Sequence, residues 1–286
     1  MQVNYKMKKI LGIIGSPRSF GNCEILIKEI SKHIQEEHEL SLLRLSDFEL
    51  KKCNGCYQCL FDEMTCSLSD DLYHLVNALS KADAIMAAIP TYFFKANSSL
   101  HSLMDRGLAL YRDADYLWKK PAIGIGVSGI EGKEGSTLLD IERFFKIIQA
   151  DVKETTIMNG RLPGDIFLNK SNLSKAKDLA NRLFSTPVEK EFSCPLCGGT
   201  TFRFLSNGKV KCMLCSNDGD LVITDDNLQL EMDPVDNGIL LNREDAMEHL
   251  DWLREMKNDY LVKRDDLKSI KNEYVGDWKW IKPFKY

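Results

Sequence analysis

No stretch of the 286-residue chain comes near the roughly 18 consecutive apolar residues that a membrane-spanning helix requires. The apolar run near the start, Ile10-Leu11-Gly12-Ile13-Ile14, follows Lys6, Lys8 and Lys9 but is too short for the core of a secretion signal, and no small-residue cleavage site comes after it. It reads as a buried first strand, so the chain is expected in the cytoplasm with no membrane partner. Charge of one sign is also scarce. Against 38 Lys and Arg stand 42 Asp and Glu, a net charge of −4. That leaves no basic footprint for nucleic acid, and no such partner is expected. Internal repeats and low-complexity segments are missing too, which excludes a solenoid or a disordered chain.

What the chain does have is cysteine. Eight of its nine cysteines fall into two compact sets of four, and Cys23 stands apart. In a reducing compartment such clusters are metal ligands or redox groups rather than disulfides. The apolar content of 44% allows an ordinary core, and the length suits one large domain or two modest ones.

Residues 1–187 alternate strand-like and helix-like segments. Strands are expected over 9–15, 40–45, 83–89, 121–127 and 152–158. Helices are expected over 22–35, 70–80, 98–111, 136–149 and 172–183, with apolar residues such as Leu72, Leu75, Val76 and Leu79 on one face. Five strands, each followed by a helix, point to an α/β fold with a doubly wound parallel sheet. Ligands of such sheets bind beyond the carboxyl ends of the strands. The pattern changes at Ser185-Thr186-Pro187. A cysteine-bearing module is expected over 188–226 and a helical tail over 227–286, with Asn242 as the N-cap of a charged helix running to about residue 274. The Trp278–Pro283 end is aromatic enough to pack on something.

The loop Gly15-Ser16-Pro17-Arg18-Ser19-Phe20-Gly21-Asn22-Cys23 joins the first strand to the first helix. It offers backbone N–H groups, the positive end of a helix, a hydroxyl, an amide and a guanidinium to an anion. It is neither a Walker loop nor a Rossmann fingerprint. A phosphate monoester fits it, and so does an ordinary turn whose Ser or Asn caps the helix. Tyr92 and Phe93, just past a buried strand, suit a flat aromatic ligand or plain core packing. Gly129, Gly132 and Gly135 allow close backbone approach. Asp105-Arg106 reads as a structural ion pair or a subunit contact rather than a catalytic pair.

Cys53, Cys56, Cys59 and Cys66 are spaced C-x2-C-x2-C-x6-C, close enough for one loop to wrap a cubane cluster. Zinc also accepts four thiolates, and the spacing alone leaves zinc, a cluster or unligated thiols open. Cys194, Cys197, Cys212 and Cys215 form two C-x2-C knuckles separated by 14 residues, with a hairpin over 200–211 and a turn at Asn207-Gly208 to bring them together. This set looks like a zinc ribbon. The zinc would be structural, holding together a segment too small for its own core.

Gly15-Ser16-Pro17-Arg18 with Gly21-Asn22, then Pro90-Thr91-Tyr92-Phe93, then Met104-Asp105-Arg106, resembles the NADPH-dependent FMN reductase and iron–sulfur flavoprotein families over about residues 8–185. The resemblance implies a flavodoxin-like domain in which Ser16, Arg18, Gly21, Asn22 and Cys23 surround the FMN phosphate. Pro90, Thr91, Tyr92 and Phe93 would border the isoalloxazine ring, and the loop starting at Ser128 and Gly129 would close its other side. It implies a [4Fe–4S] cluster on the first cysteine set, which in iron–sulfur flavoproteins is likewise followed by an acidic pair, here Asp70-Asp71. It also implies a homodimer or homotetramer. The function expected is an FMN-dependent oxidoreductase that relays electrons between flavin and cluster, fed by NAD(P)H or a ferredoxin-like donor, with no protein residue acting as base or nucleophile. Two alternatives are an NAD(P)H-dependent flavin or quinone reductase without a cluster, and a redox-sensing interaction protein.

Overall fold

In the computed structural model, which describes residues 7–61, 63–186, 192–206, 208–223, 228–233, 242–277 and 279–281, five apolar segments lie side by side as parallel strands. In chain order these are β1 (Lys8–Ile14), β2 (His38–Arg44), β3 (Ala84–Tyr92), β5 (Pro121–Ser128) and β6 (Asp151–Asn159). A two-residue strand, β4 (Lys95–Ala96), folds back antiparallel on the end of β3. The order across the sheet is β2-β1-β3-β5-β6. The direction of winding thus reverses between β1 and β3, as in flavodoxin-like sheets.

Both faces are covered, which is why β3 and β5 read as continuous apolar runs. Leu11, Ile13, Ile85, Ala87 and Ile89 face one core, with α2 (Leu72–Lys81), α3 (Ser98–Met104) and α5 (Thr137–Ile147) packed over it. The alternate residues Ile10, Ile14, Ala84, Met86 and Ala88 face the other, beneath α1 (Asn22–His33) and α6 (Lys170–Arg182). A period of two along each strand sorts the two sets.

The helix expected over 98–111 is broken. The α3 helix stops at Met104, a 3-10 turn runs from Gly107 to Asp113, and the short α4 (Ala114–Leu117) follows. Arg106 sits at the break, only 2% exposed, with its side chain turned inward to Asp70 rather than to its neighbour Asp105.

A second, antiparallel sheet holds β7 (Phe202–Phe204), β8 (Lys209–Cys212), β9 (Asp218–Ile223) and β10 (Leu228–Met232) in the order β10-β9-β8-β7. The β7–β8 hairpin is the one expected between the knuckles. Asn207 of its turn, the boundary at Pro187, and Trp278 and Pro283 of the aromatic end lie outside the described residues. The sheet continues past residue 226, because Leu228–Met232 pairs with β9. The tail holds two helices where one was expected, α7 (Arg243–Val262) and α8 (Arg264–Asn272). Asn242 does cap α7: its side chain accepts the Asp245 N–H at 2.9 Å, and the Asp245 carboxylate accepts the Asn242 N–H at 3.3 Å. Among the described residues no helix is long and apolar enough to cross a membrane.

Candidate functional site

Gly15 to Gly21 turns the chain from β1 into α1 at the carboxyl edge of the sheet, beside the point where the winding reverses. The α1 N-terminus has no side-chain cap, so its first N–H groups and positive dipole end are left for another acceptor. Ser16 is 7% exposed, and its hydroxyl accepts the Arg18 N–H at 3.3 Å. Arg44, at the end of β2, fixes the loop from the side. Its guanidinium donates to the Ser16 carbonyl at 3.3 Å, to the Arg18 carbonyl at 2.5 Å and to Glu24 at 2.7 Å. Glu24 also accepts the Phe20 N–H at 2.9 Å and Lys28 at 2.6 Å. Lys28 first, then Arg44 and the Phe20 N–H, pull its carboxyl down to about 2 in spite of its burial. An arriving anion therefore meets a carboxylate already neutralised by two cations.

Cys23 is buried under the same loop. Burial pushes its thiol up to about 12, against the opposing pull of the Ser16 and Cys23 N–H groups and of Arg44. It stays protonated near neutral pH and adds no negative charge. Asn22 reaches the opposite wall, donating to Asp165 at 3.2 Å and accepting the Gly164 N–H at 2.9 Å. Gly160 makes room for it, since a Cβ there would stand 2.6 Å from the Asn22 amide nitrogen.

Ser16, Arg18, Gly21, Asn22, Cys23, Pro90, Thr91, Tyr92 and Gly129 line one cleft of about 180 Å³, completed by Val127, Gly160, Arg161 and Pro163. Two residues expected there lie elsewhere. Ser128 is buried and its hydroxyl donates to the Ile130 carbonyl at 2.8 Å. Phe93 is 95% exposed, at the apex of the β3–β4 hairpin.

That apex has an unusual backbone. Phe93 and Phe94 have φ of 49° and 64°, the left-handed pair of a two-residue hairpin that favours Asn-Gly. The hairpin is tied down from α5. The Ser136 N–H donates to the Phe94 carbonyl at 2.7 Å, and the Ala96 N–H donates to Asp140 at 3.0 Å. Gly135 has to lack a side chain, because a Cβ would run into the Phe94 carbonyl.

The first cysteine set lies on the loop between β2 and α2. Left-handed residues reverse the chain between successive cysteines: Gly55 between Cys53 and Cys56, Tyr57 between Cys56 and Cys59, Met64 between Cys59 and Cys66. Cys53 and Cys56 are exposed, Cys59 and Cys66 half-buried. Burial raises the Cys59 thiol, and the charges of Cys66, Cys53 and Cys56 raise it further, so the four thiols feel one another. The neck of the loop is closed by a buried ion pair. Arg106 donates to Asp70 at 2.6 Å and to the Lys51 carbonyl at 2.9 Å, and Asp70 accepts the Lys51 N–H at 2.9 Å. Burial acts to lower the Arg106 pKa, but Asp70 and the nearby Cys66 outweigh it and hold the guanidinium charged.

In the second set the convergence is complete. The sulfur atoms of Cys194, Cys197, Cys212 and Cys215 lie within 4.8 Å of one another, the group among the described residues that is placed to hold a metal ion. Cys194 and Cys215 are 3.8 Å apart, Cys197 and Cys212 3.5 Å. The Gly199 N–H and the Asn217 amide each donate to a sulfur at 3.4 Å.

Compared with known proteins, residues 8–155 match the model of the NADPH-dependent FMN reductase family. An iron–sulfur flavoprotein of Methanocaldococcus jannaschii is 33% identical over 186 residues, which is 61% of this chain and 95% of that protein. The chain belongs to the NADPH-dependent FMN reductase and iron–sulfur flavoprotein family. It is a flavin-dependent oxidoreductase. An iron–sulfur flavoprotein of Methanosarcina thermophila is 30% identical, over 49% of this chain and 73% of its own. A solved flavone reductase shares the fold of nearly the whole flavoprotein, with a TM-score of 0.73 at 16% identity, covering 96% of this chain and 100% of that one.

The cleft suits FMN on the chemistry of its donors. An uncapped helix end with Ser16 and Arg18 offers the donors a phosphate needs, and Tyr92 beside Gly129 offers an aromatic side chain in the same cleft. Relaxing the hairpin offers a check on its geometry. Replacing Phe93-Phe94 by Asn-Gly is expected to stabilise the FMN-free flavoprotein by about 1–2 kcal/mol, the strain of a left-handed pair. Urea unfolding measures it, and an unmoved midpoint would count against strain at the apex.

Proposed function

We propose that the flavoprotein holds FMN in the cleft between the ends of β1, β3 and β5, and a [4Fe–4S] cluster on Cys53, Cys56, Cys59 and Cys66, and passes electrons between them. The observation that carries this reading is the cysteine loop: four thiols on one short segment whose neck is pinned by the buried Arg106–Asp70 pair and its bonds to Lys51. FMN supplies two-electron exchange on one side and single electrons on the other, and a cluster carries electrons singly. Ser16, Arg18, Gly21, Asn22 and Cys23 form the phosphate end. Asn22 works by anchoring the 160–165 wall, and Arg44 and Glu24 by holding the loop in shape. Pro90, Thr91 and Tyr92 with Gly129 frame the ring, Ser128 acts only by holding the loop at Ile130, and Phe93 extends an exposed aromatic rim with Phe94 and Phe20. In this reading the flavin carries the chemistry and no side chain acts as base or nucleophile.

The ribbon takes zinc in this proposal. A zinc–sulfur distance of about 2.3 Å in a tetrahedron sets sulfur atoms about 3.8 Å apart, and the two closest pairs stand at 3.8 and 3.5 Å. The electron donor is NAD(P)H or a ferredoxin-like protein, and the aromatic rim supports assembly as a homodimer or homotetramer. Nine free thiols suit the cytoplasm.

One observation favours a second reading. Two thiols of the first cysteine set are exposed and two half-buried, while the second set has converged, as it would be in a flavin reductase whose first set is idle. Anaerobic purification with iron, sulfide, zinc and FMN counted per chain separates the two. About four irons, one zinc and one FMN is the expected result. FMN and zinc without iron, even after anaerobic reconstitution, would leave the second reading, and absence of FMN would overturn both.

A further inference from the structure

The role of α7 follows from what it touches. Within the cysteine loop, Leu60 is the one fully buried residue among those described between Lys51 and Ser69. It lies next to Cys59 in a 3-10 turn, and much of its cover comes from a helix nearly 200 residues further along. Leu60 forms a small apolar core with Ala246 and Leu250 of α7 and with Tyr111, and Phe61, Met64 and Leu253 pack around it. Arg254 donates to the Leu60 carbonyl at 2.7 Å, and the Lys257 ammonium lies 4.4 Å from the centre of the Phe61 ring. The foot of the helix is fixed as well, by its capping box and by an ion pair from Arg243 to Asp115. Residues 243–262 lie beyond the part of the chain matched by the family model, which ends at residue 155.

We propose that α7 is a clamp on the cysteine loop, with Leu250 and Arg254 as positioning residues that fix the Cys59–Cys66 segment before metal arrives. Pinning the Leu60 side chain and carbonyl orients the turn that carries Cys59, so less chain freedom remains to be lost when four thiolates close on a centre. Arg254 and Lys257 also bring two cations to the loop, as Arg106 does at its neck. An anionic centre gains from all three. Its tie to iron rests on the cluster reading above, whereas the clamping of the loop does not.

The test uses the full chain with its FMN and zinc, in two variants. L250D breaks the apolar contact, and R254M removes the hydrogen bond and the charge while keeping the aliphatic stem. Before iron is added, alkylation of each cysteine by iodoacetamide is timed anaerobically by mass spectrometry. In both variants Cys59 is expected to react about tenfold faster, the scale of one lost charge-assisted hydrogen bond, while Cys53 keeps its wild-type rate. After reconstitution, release of iron to a chelator is expected to speed up by a similar factor. Unchanged Cys59 rates in both variants would overturn the clamp. A wild-type chain that takes up no iron but keeps the alkylation contrast would overturn the cluster reading and support the clamp.

Discussion

Replacing Arg106 by methionine is expected to destabilise the flavoprotein by about 3–5 kcal/mol, the cost of leaving one member of a buried ion pair without its partner. The pair is deep, with side chains 1% and 0% exposed. Asp70 would keep the Lys51 and Leu72 N–H bonds but lose its bond to the Arg106 guanidinium. Replacing both residues, R106M with D70L, is expected to recover much of the loss, because no charge is then stranded. Urea unfolding of the three forms decides it. A loss under about 1 kcal/mol in the single variant would mean that water reaches Asp70.

The same pair fixes the sign of a pH dependence. Burial pushes the Asp70 carboxyl up, but Arg106 and the Lys51 and Leu72 N–H groups outweigh that and hold it below the usual range. A lowered folded pKa gives stability that is complete above the unfolded value, about 3.9, and is lost as pH falls through the folded one. The wild-type chain should therefore gain stability as pH rises through that window. In R106M the carboxyl is buried without its cation, its pKa moves above the unfolded value, and stability should fall over the pH range where the wild type has levelled off. With the cluster proposed above, iron retention should suffer too, since Arg106 ties Lys51, Asp70 and Cys66 together at the neck of the loop.

The parallel sheet was legible because each strand announces itself as a short apolar run and each helix as a 3.6-residue stripe. The loop from Gly15 to Cys23 and the two cysteine sets stand out in the sequence because each is a local pattern of residue types. What the sequence hid is non-local. Arg44 ends a strand of ordinary composition, and nothing near it signals that its guanidinium holds the loop of Ser16 and Arg18. Gly160, Arg161 and Pro163 complete the cleft from beyond β6, a wall that only the folded sheet brings opposite Asn22. Arg106 sits next to Asp105 in sequence, yet its partner is Asp70, 36 residues away. The 3-10 break after Met104 is what aims it there, and helical spacing cannot reveal a break made by a single inward side chain. The β3–β4 hairpin was hidden for the opposite reason: Phe-Phe is a poor turn sequence, and only the bonds from Ser136 and Asp140 make it one.

Removing the ribbon's metal, by C212S or by a chelator at neutral pH, is expected to unfold residues 192–233 while the parallel sheet keeps its structure. Among the described residues of that module five apolar residues are buried, and three of them are the cysteines Cys194, Cys212 and Cys215, which leaves Val210 and Met232 beside them. So small a core cannot offset the entropy of ordering the segment. In the zinc reading proposed above, the metal supplies what is missing, about 10–16 kcal/mol for a four-ligand zinc site. The loss should be felt in the flavin cleft, because the second knuckle is tied to the hairpin. Arg143 of α5 donates to the Met213 carbonyl at 3.0 Å and lies 3.6 Å from Asp140, the residue that accepts the Ala96 N–H. Zinc content, near-ultraviolet dichroism and FMN affinity read the three levels in turn. Metal loss with dichroism unchanged would mean that the ribbon holds without zinc. Unfolding of the ribbon with FMN affinity unchanged would mean that Asp140 holds the hairpin without help from Arg143.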